Sequence, residues 1–175
     1  MEMHFATVWE SIADAVPDHP AIVQGERRIS WAEYDERAAR LAAVLGEAGL
    51  GHDSKIAMYL FNGPEYCETN YAAFKIRAVP INVNYRYVEE ELLYLFTNAD
   101  AKAVIFHAGF APTLAHLRER LPGIRLWIQV EDGSGEKLED LQSFNARAAA
   151  HVSESPERSR SPNSSSSSRC SIDTA

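Results

Sequence analysis

KIAMYLFNGPEYCETNYAAFKIRAVPINVNYRYVEEELLYLFTNADAKAVIF, residues 55–106, decides the fold. Its opening run, Lys55 to Phe61, reads as a buried strand. Asn62 is placed to cap a following helix, with Pro64 in its first turn and Cys67, Tyr71, Phe74 and Ala78 on one face. Val79 to Val83 reads as a second short strand. Glu89, Glu90 and Glu91 suit a helix N-terminus, where the macrodipole favours anions, and Val88, Leu92, Leu95 and Phe96 form the core face of that helix. Ala103 to Phe106 is a third strand. Strands separated by single helices are βαβ units, so this stretch predicts a parallel sheet with right-handed crossovers.

Outward from this centre the alternation continues. Leu114, Leu117 and Leu121 line another helix that stops at Pro122-Gly123, and Ile124, Leu126, Ile128 and Val130 alternate as a further strand. Towards the N-terminus, Ser30 and Glu33 form a capping box ahead of an apolar stripe of Tyr34, Ala38, Leu41 and Leu45, and Gly49 suits a helix C-terminal cap. Ala21–Val23 and Arg28–Ser30 flank a tight turn in which Gly25 supplies the positive φ of a hairpin. Thr7 with Glu10 predicts an opening helix that carries Val8, Trp9, Ile12 and Val16 as far as Pro17. The expectation is an α/β unit with a partial doubly wound, mainly parallel sheet and flanking helices. Its core is expected to unite Leu41, Leu45, Phe74, Leu92, Leu95, Ile105 and Leu117.

Residues 152–175 differ in kind. They are serine-rich, carry Pro156, Pro162 and a run from Ser164 to Ser168, and offer almost no apolar side chains to offset the entropy of ordering. Residues 1–151 are therefore expected to form the folded unit, with 152–175 a disordered tail. The tail's three acids and three arginines cancel, so the net charge of −8 lies within residues 1–151.

Composition narrows the function classes. A pI near 5.2 with scattered arginines argues against a nucleic-acid partner, which demands clustered cations. Every apolar run is broken by charge before membrane-spanning length, so no membrane span is expected. The opening MEMHFATVWE has glutamates where a signal peptide needs basic residues, and the expected location is cytoplasmic. The cysteines Cys67 and Cys170 form no metal or disulfide pattern.

Two segments carry a family resemblance. ISWAEYDERAARLAAVLGEAGLGHDSKIAMYLFNGPEY (29–66) resembles the first segment of the adenylate-forming superfamily, with its Thr/Ser-aromatic-x-Glu-aromatic helix start and Asn/Ser-rich turn after a strand. Residues 72–105 resemble its second segment: a helix ending in a basic-small pair, a Val-Pro strand and an Asn-containing loop. The wording from Pro80 to Tyr87 is closest to fatty acyl-CoA synthetases, including those acting on long-chain or sterol side-chain acids. The resemblance spans roughly residues 5–130. It implies a carboxylic acid substrate, ATP, Mg²⁺ and CoA for the full-length family, with an acyl-adenylate intermediate. The Pro-Lys-Gly phosphate loop and the later motifs of that family do not occur in this sequence. The expectation is an N-terminal fragment that binds none of these cofactors alone and is inactive alone. The alternative is a non-catalytic interaction module pairing with itself or with another synthetase.

Asn82, Asn84 and Arg86 follow a parallel strand, at the edge where such sheets bind ligands, and are the substrate-vicinity candidates; ordinary loop chemistry is the competing reading. Gly133-Ser134-Gly135-Glu136-Lys137 has neither the spacing nor the Ser/Thr of a phosphate loop, and Glu136 would repel phosphate. His107 ends a strand without a sequence partner and reads as structural. No catalytic residue and no metal ligand is assigned. Lys55, Lys75, Lys102 and Lys137 are the only lysines, none of them in a phosphate cradle.

Overall fold

The computed structural model describes residues 4–138. The tail reading for 152–175, and the last part of the unit drawn to residue 151, lie outside the described residues.

An opening helix α1 (Phe5–Ala15) leads to a hairpin of β1 (Pro20–Gln24) and β2 (Arg27–Ser30). Gln24 pairs with Arg27, leaving a two-residue turn in which Gly25 sits at φ 59°, as its lack of a Cβ permits. Then follow α2 (Trp31–Glu47), β3 (Lys55–Tyr59), α3 (Pro64–Lys75), β4 (Val79–Asn82), α4 (Glu89–Asn98), β5 (Ala101–His107), α5 (Ala111–Arg118) and β6 (Leu126–Val130). The expected cap of α2 is present: the Ser30 hydroxyl accepts from the Glu33 amide at 3.2 Å. At its other end Gly49 adopts φ 72° and the Leu50 amide reaches back to the Leu45 carbonyl, a Schellman closure. Arg77 performs the same turn after α3 at φ 59°, so the basic-small pair Arg77-Ala78 is a helix stop made without glycine.

Strands β3 to β6 form one parallel sheet in the order β4-β3-β5-β6. The chain begins inside the sheet, moves outward to β4, returns past β3 to β5 and moves outward again to β6. Same-handed crossovers in opposite directions put their helices on opposite faces, and they are found there. Ile56, Met58, Ala103, Ile105, Leu126 and Ile128 pack with α2 and α3, whereas Ala57, Tyr59, Val104, Phe106 and Trp127 pack with α4 and α5. A third cluster joins Ala6, Ile29, Tyr34, Ala38 and Tyr71 beneath α1 and the hairpin.

Several expectations are corrected in detail. The core is not single: Leu41, Leu45 and Ile105 lie on one face of the sheet, Leu92 and Leu117 on the other, and Phe74 in the third cluster with α1, because a two-faced sheet divides its apolar side chains. Leu95 is only partly buried. Helix α1 starts at Phe5, ahead of Thr7, and is capped by His4, whose Nδ1 accepts from the Ala6 amide. Gly63, not Asn62, occupies the cap position of α3. Val88 lies outside α4 and is exposed; the Glu91 carboxylate turns back to its amide, at 2.9 Å. Residues of β6 are buried on both faces, so Trp127 and Gln129 are not its solvent side.

Candidate functional site at the carboxyl edge of the sheet

In a doubly wound sheet the crevice for a ligand opens where neighbouring strands send their connections to opposite faces. Here that point lies between β3, which continues into α3, and β5, which continues into α5. Two residues meet across it. Phe61, two positions beyond β3, donates its backbone N–H to Nδ1 of His107 at 3.0 Å, and the two rings lie 5.3 Å apart. His107 closes β5 and is 8% exposed. Burial lowers its pKa below the ordinary 6.5, against the opposing fields of Asp132 and Glu65.

Aromatic side chains extend this contact into a platform. Phe61 packs against Phe110 at 4.9 Å and Tyr85 at 5.3 Å, and Tyr59 stacks on Phe110 at 4.0 Å. The Tyr59 hydroxyl donates to the Tyr87 carbonyl, tying the β4–α4 loop to β3. Phe61 and Tyr85 remain 43% and 46% exposed, which is unusual for neighbouring large apolar groups and presents a surface for contact.

Asn82 is the last residue of the edge strand β4, and Asn84 and Arg86 stand on the loop after it, beside the platform and not within the crevice. All three are exposed. The Asn84 Oδ1 accepts from the Arg86 amide at 3.0 Å, an Asx turn, so Asn84 does the loop chemistry that competed with a ligand role. The Arg86 guanidinium lies 5.6 Å from the centre of the Tyr85 ring.

In the glycine-rich turn after β6, Asp132 receives the Ser134 amide on Oδ1 at 3.0 Å and, from the neighbouring segment, the Gly109 amide on Oδ2 at 2.9 Å, so a carboxylate already sits where a phosphate would need those two amides. Desolvation alone would raise the Asp132 pKa, but the Ser134 side chain together with the Gly109 and Ser134 amides holds it below the usual carboxylate range. Lys55, Lys75 and Lys102 are engaged by Asp53, by Glu10 with Asp35, and by Asp100.

A second concavity, about 490 Å³ and lined by His4, Phe5, Val8, His52, Phe74 and Arg77, lies at the opposite, amino edge of the strands. The carboxyl edge is the better candidate, because strand ends and loops of parallel sheets converge their polar groups there. Among the described residues no cluster of three or more His, Cys, Asp or Glu side chains could hold a metal ion, and no helix is long and apolar enough to cross a membrane.

Sequence reasoning missed the platform, since Phe61, Tyr85 and Phe110 come from three separate loops. It also missed an ion pair between α2 and α3, where Arg37 Nε and Nη2 grip both oxygens of Glu68 at 2.7 and 3.0 Å and Glu68 is 1% exposed. A signal existed: Arg37 interrupts the apolar stripe of α2, and Glu68 does so on α3.

The profile of the AMP-binding enzyme family matches residues 9–167. The chain is 40% identical to the medium-chain acyl-CoA ligase Mig of Mycobacterium avium, across 85% of this chain and 30% of that protein. It is 37% identical to 3-oxocholest-4-en-26-oate–CoA ligase of Rhodococcus rhodochrous, across 90% of this chain and 28% of that protein. The fold superposes on a Mycobacterium tuberculosis fatty acyl CoA synthetase with a TM-score of 0.74 at 23% identity, covering 88% of this chain and 30% of the other. The chain thus spans about 30% of the length of the curated relatives it matches.

Proposed function

The chain belongs to the AMP-binding enzyme family, and from that premise we propose that it supplies the opening α/β unit of an ATP-dependent acyl-CoA synthetase for fatty or sterol side-chain acids. The observation that carries this reading is the family match running unbroken through the whole described sheet, joined to relatives that are acyl-CoA ligases. In the proposed reaction a carboxylate oxygen attacks the α-phosphorus of ATP and pyrophosphate leaves. The CoA thiolate then attacks the acyl carbonyl and AMP leaves. The proposal expects that work in the cytoplasm, where ATP and CoA are at hand.

The part played by residues 4–138 is positional. Charge that grows on a transferring phosphate must be met by cations and preorganised amides. The three lysines of the strands and helices are held by carboxylates, and the Ser134 amide of the 133–135 turn by Asp132. The reading therefore assigns ATP and Mg²⁺ to the longer chains of the family, and to this unit the sheet edge with the Phe61–Tyr85 platform. Asn82, Asn84 and Arg86 line the approach to the substrate. The exposed platform also favours pairing with another copy or another synthetase, which light scattering over a concentration series tests.

Two measurements test the assignment. The purified chain, given ATP, Mg²⁺, CoA and a panel of fatty and sterol-derived acids, is expected to release no pyrophosphate above background. A chimera in which residues 9–138 replace the matching part of the Mycobacterium avium ligase is expected to keep acid-dependent release, and Arg86→Ala within it to raise KM. Release by the chain alone that survives further purification, or a folded but inactive chimera, overturns the proposal.

A further inference from the structure

We propose that His107 is the positioning residue of the crevice: its neutral imidazole anchors the Phe61 amide through Nδ1 and so fixes the turn that presents the aromatic platform. This goes beyond the acyl-CoA reading and does not depend on it.

A backbone N–H only donates, so the 3.0 Å contact requires a lone pair on Nδ1 and leaves the ring proton on Nε2. The two partners differ in how firmly they are held. His107 belongs to β5, paired on both sides by β3 and β6, and its own ladder partner is Val130. Phe61 lies beyond the last rung of β3, which pairs Tyr59 with Phe106, so the β3–β5 ladder does not reach its amide. Its ring touches His107, Phe110 and Tyr85 in turn. Anchoring the amide therefore orients the ring that organises the platform.

Protonation places a hydrogen on Nδ1, facing the Phe61 N–H, and the anchor is lost. The charged groups around the ring set when this happens. Asp132, after β6, and Glu65, in the first turn of α3, favour the imidazolium; burial disfavours it more strongly. Neither carboxylate is free to do more. Asp132 is taken by the Gly109 and Ser134 amides, and Glu65 by Arg27 on β2 at 3.0 Å. Glu131, next along, accepts from the Gln129 side-chain Nε2, and Arg86 lies over the Tyr85 ring. The anchor is closed at neutral pH and opens on acidification below 6.5.

The test uses the isotope-labelled full chain. Long-range nitrogen–proton spectra read the tautomer of His107, and amide exchange at Phe61, corrected for its intrinsic pH dependence, is followed from neutral pH down to the onset of acid unfolding. Nδ1 is expected to be unprotonated at neutral pH, and Phe61 exchange to accelerate about tenfold on acidification, the effect of one lost hydrogen bond. His107→Asn, which offers an amide oxygen in place of Nδ1 and does not titrate, is expected to keep Phe61 protected at every pH. His107→Leu is expected to lose that protection at every pH while Met58 and Ile105 keep theirs. A proton on Nδ1 at neutral pH, Phe61 exchange indifferent to acid, or equal loss in the Asn and Leu variants overturns the proposal. Should His107→Leu fail to fold, the tautomer and the acid profile of the native chain decide alone.

Discussion

Arg37→Met is the substitution whose outcome the structure specifies most sharply. Met keeps much of the aliphatic stem that packs between α2 and α3 but removes the guanidinium that grips both oxygens of Glu68. Glu68 is 1% exposed, so its carboxylate is left in a site that water barely enters. Breaking a buried pair by removing one partner costs about 3–5 kcal/mol. The Arg37 side chain is itself 20% exposed, so some water can follow it in, and the lower end, about 3 kcal/mol, is expected. That is a large share of the ~5–15 kcal/mol available to a domain. Adding Glu68→Met should recover most of the loss, because a well-packed apolar pair of similar volume often equals a buried ion pair. Urea unfolding followed by the fluorescence of Trp9, Trp31 and Trp127 reads both variants. A single-variant loss below about 1 kcal/mol, or a double variant no more stable than the sum of its singles, would refute the reasoning.

Two further predictions concern packing and pH. Leu45→Ala, at a fully buried position between α2 and the sheet, should cost about 2–5 kcal/mol, and Leu95→Ala, half-buried on α4, about 1 kcal/mol, as denaturant midpoints will measure. Tyr34 and Tyr71 have pKa values raised above the ordinary phenol value, first by burial, with Cys67 and Glu68 adding at Tyr34 and the 2.5 Å bond to Asp35 adding at Tyr71. A phenol raised in the folded state contributes stability that is complete below the unfolded value of 10.0 and is lost as pH rises beyond it. Alkaline difference spectra should therefore show these two titrating together with unfolding.

Much of this architecture is legible in the amino-acid sequence because it is written locally. The Ser30 cap, the stripe on α2, the Gly25 turn and the Gly49 stop each depend on residues within a few positions of one another. Boundaries are less legible where rivals compete over one turn, as when His4 takes the cap from Thr7 and Gly63 takes it from Asn62. That Asn82, Asn84 and Arg86 fall at the carboxyl end of a strand is legible locally, but whether that strand is an edge or borders the crevice depends on strand order. For a related reason the alternation along β6 does not reveal that both faces of its sheet are covered.

What the sequence by itself determined is the order and kind of the elements, and with it a parallel α/β sheet, because helical and strand periodicities and their caps act over one or two turns of chain. The tertiary structure alone decided which faces the helices cover and which side chains meet. Arg37 finds Glu68 across 31 positions and Phe61 finds His107 across 46, separations at which no local pattern selects a partner. The strand order β4-β3-β5-β6 selects them, by placing the end of β3 beside the end of β5 and sending their connections to opposite faces.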